Sequence, residues 1–166
     1  MANYSLPHFG EIDPKNLEEY SDVDIDFDGQ ELQIDLNFEN NSIDIQRLDV
    51  VKKFIENISA FDKKNRKYIE EDYADQDCDT VRTYLEHHLE EIGKDELSEL
   101  VDFDNKETDS FTQLMNSLKL VRVGLYPDNE GQFAIFDYSI GRDLTQYLVV
   151  INTDENGNLD YMTMES

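Results

Sequence analysis

The sequence predicts an α+β fold made of an N-terminal β-hairpin, central helices and a C-terminal antiparallel β-meander. Three observations carry this. Apolar residues alternate with acidic or polar ones in two runs, Asp22–Asp28 and Leu32–Glu39, on either side of Asp28-Gly29. Apolar residues then recur at helical spacing between Asp44 and Leu118. Four runs rich in Val, Ile, Leu, Phe and Tyr follow, joined by short turns. Strand runs on either side of a helical block belong to α+β architectures, not to doubly wound sheets.

Taken in order, Tyr4 to Phe9 is short and aromatic and reads as an edge strand, because Pro7 has no N–H for a central ladder. Gly10-Glu-Ile-Asp-Pro14 reads as a turn. Asp13-Pro14 then looks like a helix entry, with Asp as N-cap and Pro at the first helical position, for a turn or two through Tyr20. Val23, Ile25 and Phe27 alternate with Asp22, Asp24, Asp26 and Asp28. After Asp28-Gly29, Leu32, Ile34, Leu36 and Phe38 alternate with Gln33, Asp35, Asn37 and Glu39. Asp-Gly suits a type I′ turn, in which both central residues need positive φ. The hairpin therefore has one apolar and one acidic face.

A helix is expected from about Asp44 to Ser59, with Ile45, Leu48, Val51, Ile55 and Ile58 on one stripe. A second helix is expected after Asp62 as N-cap, carrying Tyr68, Ile69 and Tyr73, with a break in the acidic run near Asp75–Asp79. The third has Val81, Tyr84, Leu85, His88, Leu89 and Ile92 in phase, and Gly93 suits its C′ position. Asp95 can cap a short piece through Val101, Asp102–Asp109 reads as a charged loop, and Ser110 can cap a last helix bearing Phe111, Leu114, Met115 and Leu118. The meander comprises Lys119–Tyr126, Gln132–Ile140, Leu144–Asn152 and Leu159–Met164. Short connections between them force antiparallel neighbours. The hairpin and meander are expected to share the helical layer within one domain, 1–166, a length that fits a single core. Asp102–Asp109 is the best place for any border.

The 166 residues include 39 acidic and 14 basic ones, for a formal net charge of −25. Residues 1–60 and 61–110 each carry a net −10, and 111–166 only −5. Such a field repels phosphate backbones and anionic lipid, so nucleic acid and membrane are not expected partners. It speeds encounter with a basic protein instead. The 18 Phe and Tyr supply enough burial to argue against disorder. A single Cys makes no internal disulfide, no apolar run approaches the ~18 residues of a membrane span, and the start Met1-Ala-Asn-Tyr lacks a leader pattern. A cytoplasmic protein is expected.

Few motifs suggest chemistry. Asp24-Ile-Asp26-Phe-Asp28-Gly29, with Asp35 at position twelve, matches EF-hand calcium-loop spacing. That loop belongs between helices, however, and β alternation spreads Asp24, Asp26 and Asp28 along a strand. A second partial match, Asn152 to Thr163, lacks the terminal acid, and Asn156-Gly157 is a turn signal. His87 and His88 point about 100° apart on a helix and cannot share one ion. His88 falls on the apolar stripe. Asp77 and Asp79 raise the Cys78 thiol pKa, no glycine-rich phosphate loop or GxSxG is present, and no cofactor is expected. The hairpin row Asp24, Asp26, Asp28, Asp35, Asn37 and Glu39 has two uses: a solvated face that resists edge aggregation, or a docking surface for basic side chains.

Leu6-Pro-His-Phe-Gly-Glu-Ile-Asp13, Leu17-Glu-Glu-Tyr20, Val23–Phe27, Gly29 and Ile34–Glu39 resemble the start of an uncharacterised bacterial family, the DUF two-thousand-and-four domain. Phe136-Asp-Tyr-Ser-Ile140, Leu148-Val-Val150, Asp154, Gly157 and Glu165-Ser166 resemble its end. The resemblance spans roughly 4–60 and 118–166 and implies a small cytoplasmic α+β protein without established catalytic residues. Small acidic proteins of this kind occur as immunity proteins in bacterial toxin systems. The leading expectation is thus a non-enzymatic interaction module, of the immunity type, for a basic toxin. A calcium-responsive module using Asp24, Asp26, Asp28 and Asp35 is the alternative, and an unknown enzyme the third.

Overall fold

The acidic hairpin and the C-terminal meander join edge to edge into one sheet, an arrangement that periodicity alone could not specify. The computed structural model describes residues 3–166; Met1 and Ala2, where the stretch read as lacking a leader begins, lie outside the described residues. Strands β1 (Tyr4–Leu6) and β2 (Gly10–Ile12) form a small separate hairpin. Strands β3 (Tyr20–Phe27), β4 (Gln30–Asn37), β5 (Lys119–Leu125), β6 (Ala134–Ser139), β7 (Leu148–Thr153) and β8 (Leu159–Glu165) form a six-stranded sheet in chain order. All neighbours are antiparallel except β4 and β5, which run parallel with Gln33 beside Arg122 and Leu36 beside Leu125. A parallel pair needs a long crossover. Here it holds all the helices: α1 (Ile45–Glu56), α2 (Ile58–Ala74), α3 (Thr80–Glu91), α4 (Lys94–Leu97) and α5 (Ser110–Asn116). The fold is α+β.

Asp28 and Gly29 have φ of 51° and 78°, as a type I′ turn demands. Several local expectations are corrected. The first turn lies at Pro7–Phe9, with His8 at φ 68°, so Gly10–Ile12 is strand, not turn. No helix follows Asp13-Pro14. The Asp13 carboxylate accepts from Lys15 N, and the segment is then tied to 41–43 by Leu17 N to Asn41 O (2.8 Å) and Ile43 N to Pro14 O (2.9 Å). These cross-chain bonds take the groups that a helix would pair internally. Helix α2 starts at Ile58, four residues before Asp62, which lies inside it. Gly93 is extended (φ −64°, ψ 149°) and leads into α4 instead of closing α3 in a left-handed cap. Asp109, not Ser110, caps α5 by accepting from Thr112 N. Strand β7 begins at Leu148 because Gly141 O holds Leu144 N and Thr145 N in a turn.

Cross-strand register sorts the sheet's two faces. Val23, Ile25, Leu32, Ile34, Leu36, Val123, Phe136, Tyr138, Val149 and Ile151 share the face under the helices and join one core. Phe54 of α1 stacks on Phe61 at 4.2 Å and meets Phe133 and Phe136 at 5.1 and 5.8 Å, fastening helices to β6. Most polar groups in this layer are paired, although Asn65 Oδ1 is buried without a partner. The buried Tyr138 hydroxyl donates to Asp62 Oδ1 at 2.7 Å, and Arg66 reaches both Asp62 and Leu118 O. Burial, reinforced by the Asp62 charge, drives the Tyr138 phenol well above its usual pKa.

His88 is buried where the stripe placed it. Its Nδ1 lies 2.6 Å from Tyr84 O and its Nε2 2.8 Å from Thr145 Oγ1. A carbonyl only accepts, so Nδ1–H donates to Tyr84 O, which leaves Nε2 to accept from the Thr145 hydroxyl in the neutral ring that burial favours. Burial lowers the His88 pKa, with a smaller push from His87. The unfolded chain therefore takes up this proton first, and stability falls as pH drops below the ordinary histidine value of about 6.5. Thermal melts from about pH 7.5 to about pH 5.5 should show a loss that is smaller in His88→Gln. Equal slopes in the two proteins would contradict this assignment.

Candidate functional site

The other face of the sheet is where the hairpin's acids and a cluster around Arg122 meet. Register places Asp22, Asp24 and Asp26 of β3 on it, with Glu31, Gln33 and Asp35 of β4, Arg122 and Gly124 of β5, Asp137 of β6, Asn152 of β7, and Tyr161 and Thr163 of β8. Tyr20 and Tyr161 are about half exposed here, at 51% and 50%, at opposite margins of the sheet.

Of the six candidate residues, Asp24 and Asp26 are exposed on this face, and Asp28 is exposed in the turn. Among the described residues none of the three has an ion-pair partner. Asp26 lies directly opposite Glu31, also exposed, and like charges so placed oppose each other. Asp35 is a correction: it is fully buried, not part of a wet row. Arg122 grips it with two bonds, Nε to Oδ2 at 2.7 Å and Nη2 to Oδ1 at 3.0 Å. Asn37 is half-buried and donates to Asp35 Oδ1 at 2.7 Å and Leu125 O at 3.3 Å. Glu39 is exposed, but its N–H bonds Asp128 and its carboxylate accepts from Asn129 at 2.7 Å, which ties it to the 127–131 loop. The row therefore divides into three outward aspartates, two inward structural residues and one loop anchor.

Arg122 carries the site's internal electrostatics. It also approaches Asp137 Oδ2 (3.4 Å) and the Tyr126 hydroxyl (3.3 Å). Its hydrogen bonds to Asp35 hold its proton more firmly than usual, whereas burial raises the Asp137 carboxyl against the pull of Arg122. The guanidinium packs closely against Gly124: a Cβ there would sit 2.6 Å from Nη2 and 3.0 Å from Cζ. A bare backbone at this one position lets the fork reach Asp35. Sequence reading missed Arg122, although it is the only charge inside the otherwise apolar Leu120–Leu125 run.

Both Asp35 oxygens are engaged by Arg122, so the twelfth-position ligand of the calcium reading is already spent on a cation. Among the described residues no group of three or more His, Cys, Asp or Glu side chains converges as metal ligands would. The Cys78 thiol is pushed up by burial and then by Asp75 and Asp72, with Asp77 a smaller contributor. No helix among the described residues is long and apolar enough to cross a membrane.

An open groove of ≈ 1100 Å³ lies at the sheet's end beside Arg47, Phe133, Asp128 and Asp154. Two of its acids close loops: Asp128 accepts from Glu39 and Asn40 N–H, and Asp154 from Asn156 and Asn158 N–H. Arg47 bonds Pro127 O at 2.7 Å and pairs with Glu155. Fold and site together define an α+β protein with one helix-covered sheet face and one acidic, aromatic-edged face. No family model, curated protein or solved structure matches the chain.

Proposed function

We propose that the chain is a non-enzymatic protein-interaction module that captures a basic protein through its acidic sheet face, in the manner of an immunity-type inhibitor of a basic toxin. The carrying observation is the Asp26–Glu31 pair with Asp22 and Asp24 beside it, exposed and, among the described residues, without an ion-pair partner, on the face away from the helices. A cation brought by a partner relieves that repulsion, and the field of −25 speeds its arrival. Arg122 is occupied by Asp35 and Asp137 and does not neutralise this row. Kinship with the DUF two-thousand-and-four domain, and a cytoplasmic setting, belong to the same proposal and rest on the residues quoted above.

Retention of a basic probe protein such as cytochrome c on immobilised protein tests the electrostatic part. Binding is expected at about 50 mM NaCl and release at about 500 mM, where the Debye length has fallen from about 14 to about 4 Å. Binding of equal strength at both salts would exclude charge capture.

A further inference from the structure

The six-stranded sheet has two unpaired edges, and they are built differently. Strand β3 guards its edge with Asp22, Asp24 and Asp26 at every second position, which deters strand addition. Strand β8 has no such guard. Its register with β7 shifts at Asp160 and is then regular from Tyr161 to Glu165, with Tyr161 opposite Asn152, Thr163 opposite Val150 and Glu165 opposite Leu148. No Lys or Pro lies in this run. Tyr161 is 50% and Leu159 41% exposed, so one strand holds two of the five exposed large hydrophobic residues. On the helix side Met162 and Met164 touch the core yet remain half-exposed at its margin.

We propose that the β8 edge pairs antiparallel with β8 of a second copy of this chain, continuing the sheet across a two-fold axis at Thr163. Symmetry argues for the second copy. A two-fold axis perpendicular to an antiparallel sheet keeps each side chain on its own face, so residues of odd number pair with odd and even with even. Glu165 can then never sit directly opposite Asp160, the other acid of the strand. Centring on Thr163 uses the whole regular run: Thr163 meets Thr163 of the second copy, Met162 meets its Met164, and Tyr161 meets its Glu165. Thr–Thr pairs across strands are favourable, and joining the methionines extends the core over the new seam. Strand β8 carries Asp160 and Glu165 and no base, so two copies approach against their own charge, and screening by salt favours the pairing. The proposal does not depend on capture of a basic protein. The two answer oppositely to salt, which weakens basic-partner binding and strengthens pairing of two acidic copies.

Sedimentation of the full chain over a concentration series, at low and high NaCl, tests the proposal. The expected result is a monomer–dimer equilibrium that tightens with salt. Thr163→Asp sets two carboxylates face to face and should weaken it by about tenfold or more. In a Cys78→Ser background, Thr163→Cys should give a covalent dimer on oxidation, since paired Cα atoms lie about 4.5–5.5 Å apart, while Leu159→Cys should not. A monomer at every concentration and salt, a dimer indifferent to Thr163→Asp, or equal crosslinking at positions 159 and 163 would each overturn it. So would a monomer whose β8 amides gain exchange protection only when cytochrome c is added.

Discussion

Replacing Arg122 with Met should cost about 3–5 kcal/mol, because it strands the buried Asp35 carboxylate beside Asp137. In a chain of this size that lowers Tm by roughly 6–20 °C. The loss should shrink on acidification. Burial already raises the Asp137 carboxyl against the pull of Arg122; without the guanidinium that rise is unopposed, the folded state binds this proton more tightly than the unfolded one, and folding gains as pH falls. Arg122→Met with Asp35→Leu removes both charges and should regain much of the loss. A melt within 1 °C or so of the parent in the single variant would show that the pair is not holding β4 to β5.

Phe54→Ala should be comparably damaging, at about 3–5 kcal/mol by denaturant unfolding. The ring is 1% exposed and touches Phe61, Phe133 and Phe136, which come from α2, the β5–β6 connection and β6. Partners from three segments cannot collapse together into the space it leaves. Because the helices bear only on the far side of the sheet, this variant should destabilise the fold without changing the salt dependence of binding by the remaining folded protein.

The elements were legible where one local rule governs. Asp28-Gly29 set the hairpin turn, the Val81–Ile92 stripe set α3, and four short apolar runs set the meander. What escaped were partnerships across long separations. Periodicity assigns Asp35 to a face but is silent on Arg122, 87 residues later, whose guanidinium changes a wet carboxylate into a buried one. The parallel junction of β4 with β5 is hidden for the same reason. Asp62 looked like a cap because Asp is a poor helix-interior residue, but Tyr138 and Arg66 satisfy its carboxylate from outside the backbone. Gly93 looked like a left-handed cap because glycine favours that conformation, yet nothing compels a glycine to adopt it.

The outward hairpin acids were legible, and their split from the inward ones was not. Asp24 and Asp26 remain with Asp22 and Glu31 as a solvent-facing patch, while Asp35 and Asn37 serve the sheet itself. The proposed partner capture is therefore assigned to the patch, not to acidity spread over the whole chain.

Binding of the basic probe protein to two charge-matched variants is the most direct measurement. One carries Asp22→Asn, Asp24→Asn, Asp26→Asn and Glu31→Gln; the other carries Glu70→Gln, Glu71→Gln, Glu86→Gln and Glu90→Gln on the exposed helix surface. At low salt the hairpin variant should bind about tenfold or more weakly than the parent, and the helix variant within about twofold of it. Equal losses in the two would mean that net charge alone acts, which contradicts a site on the sheet face.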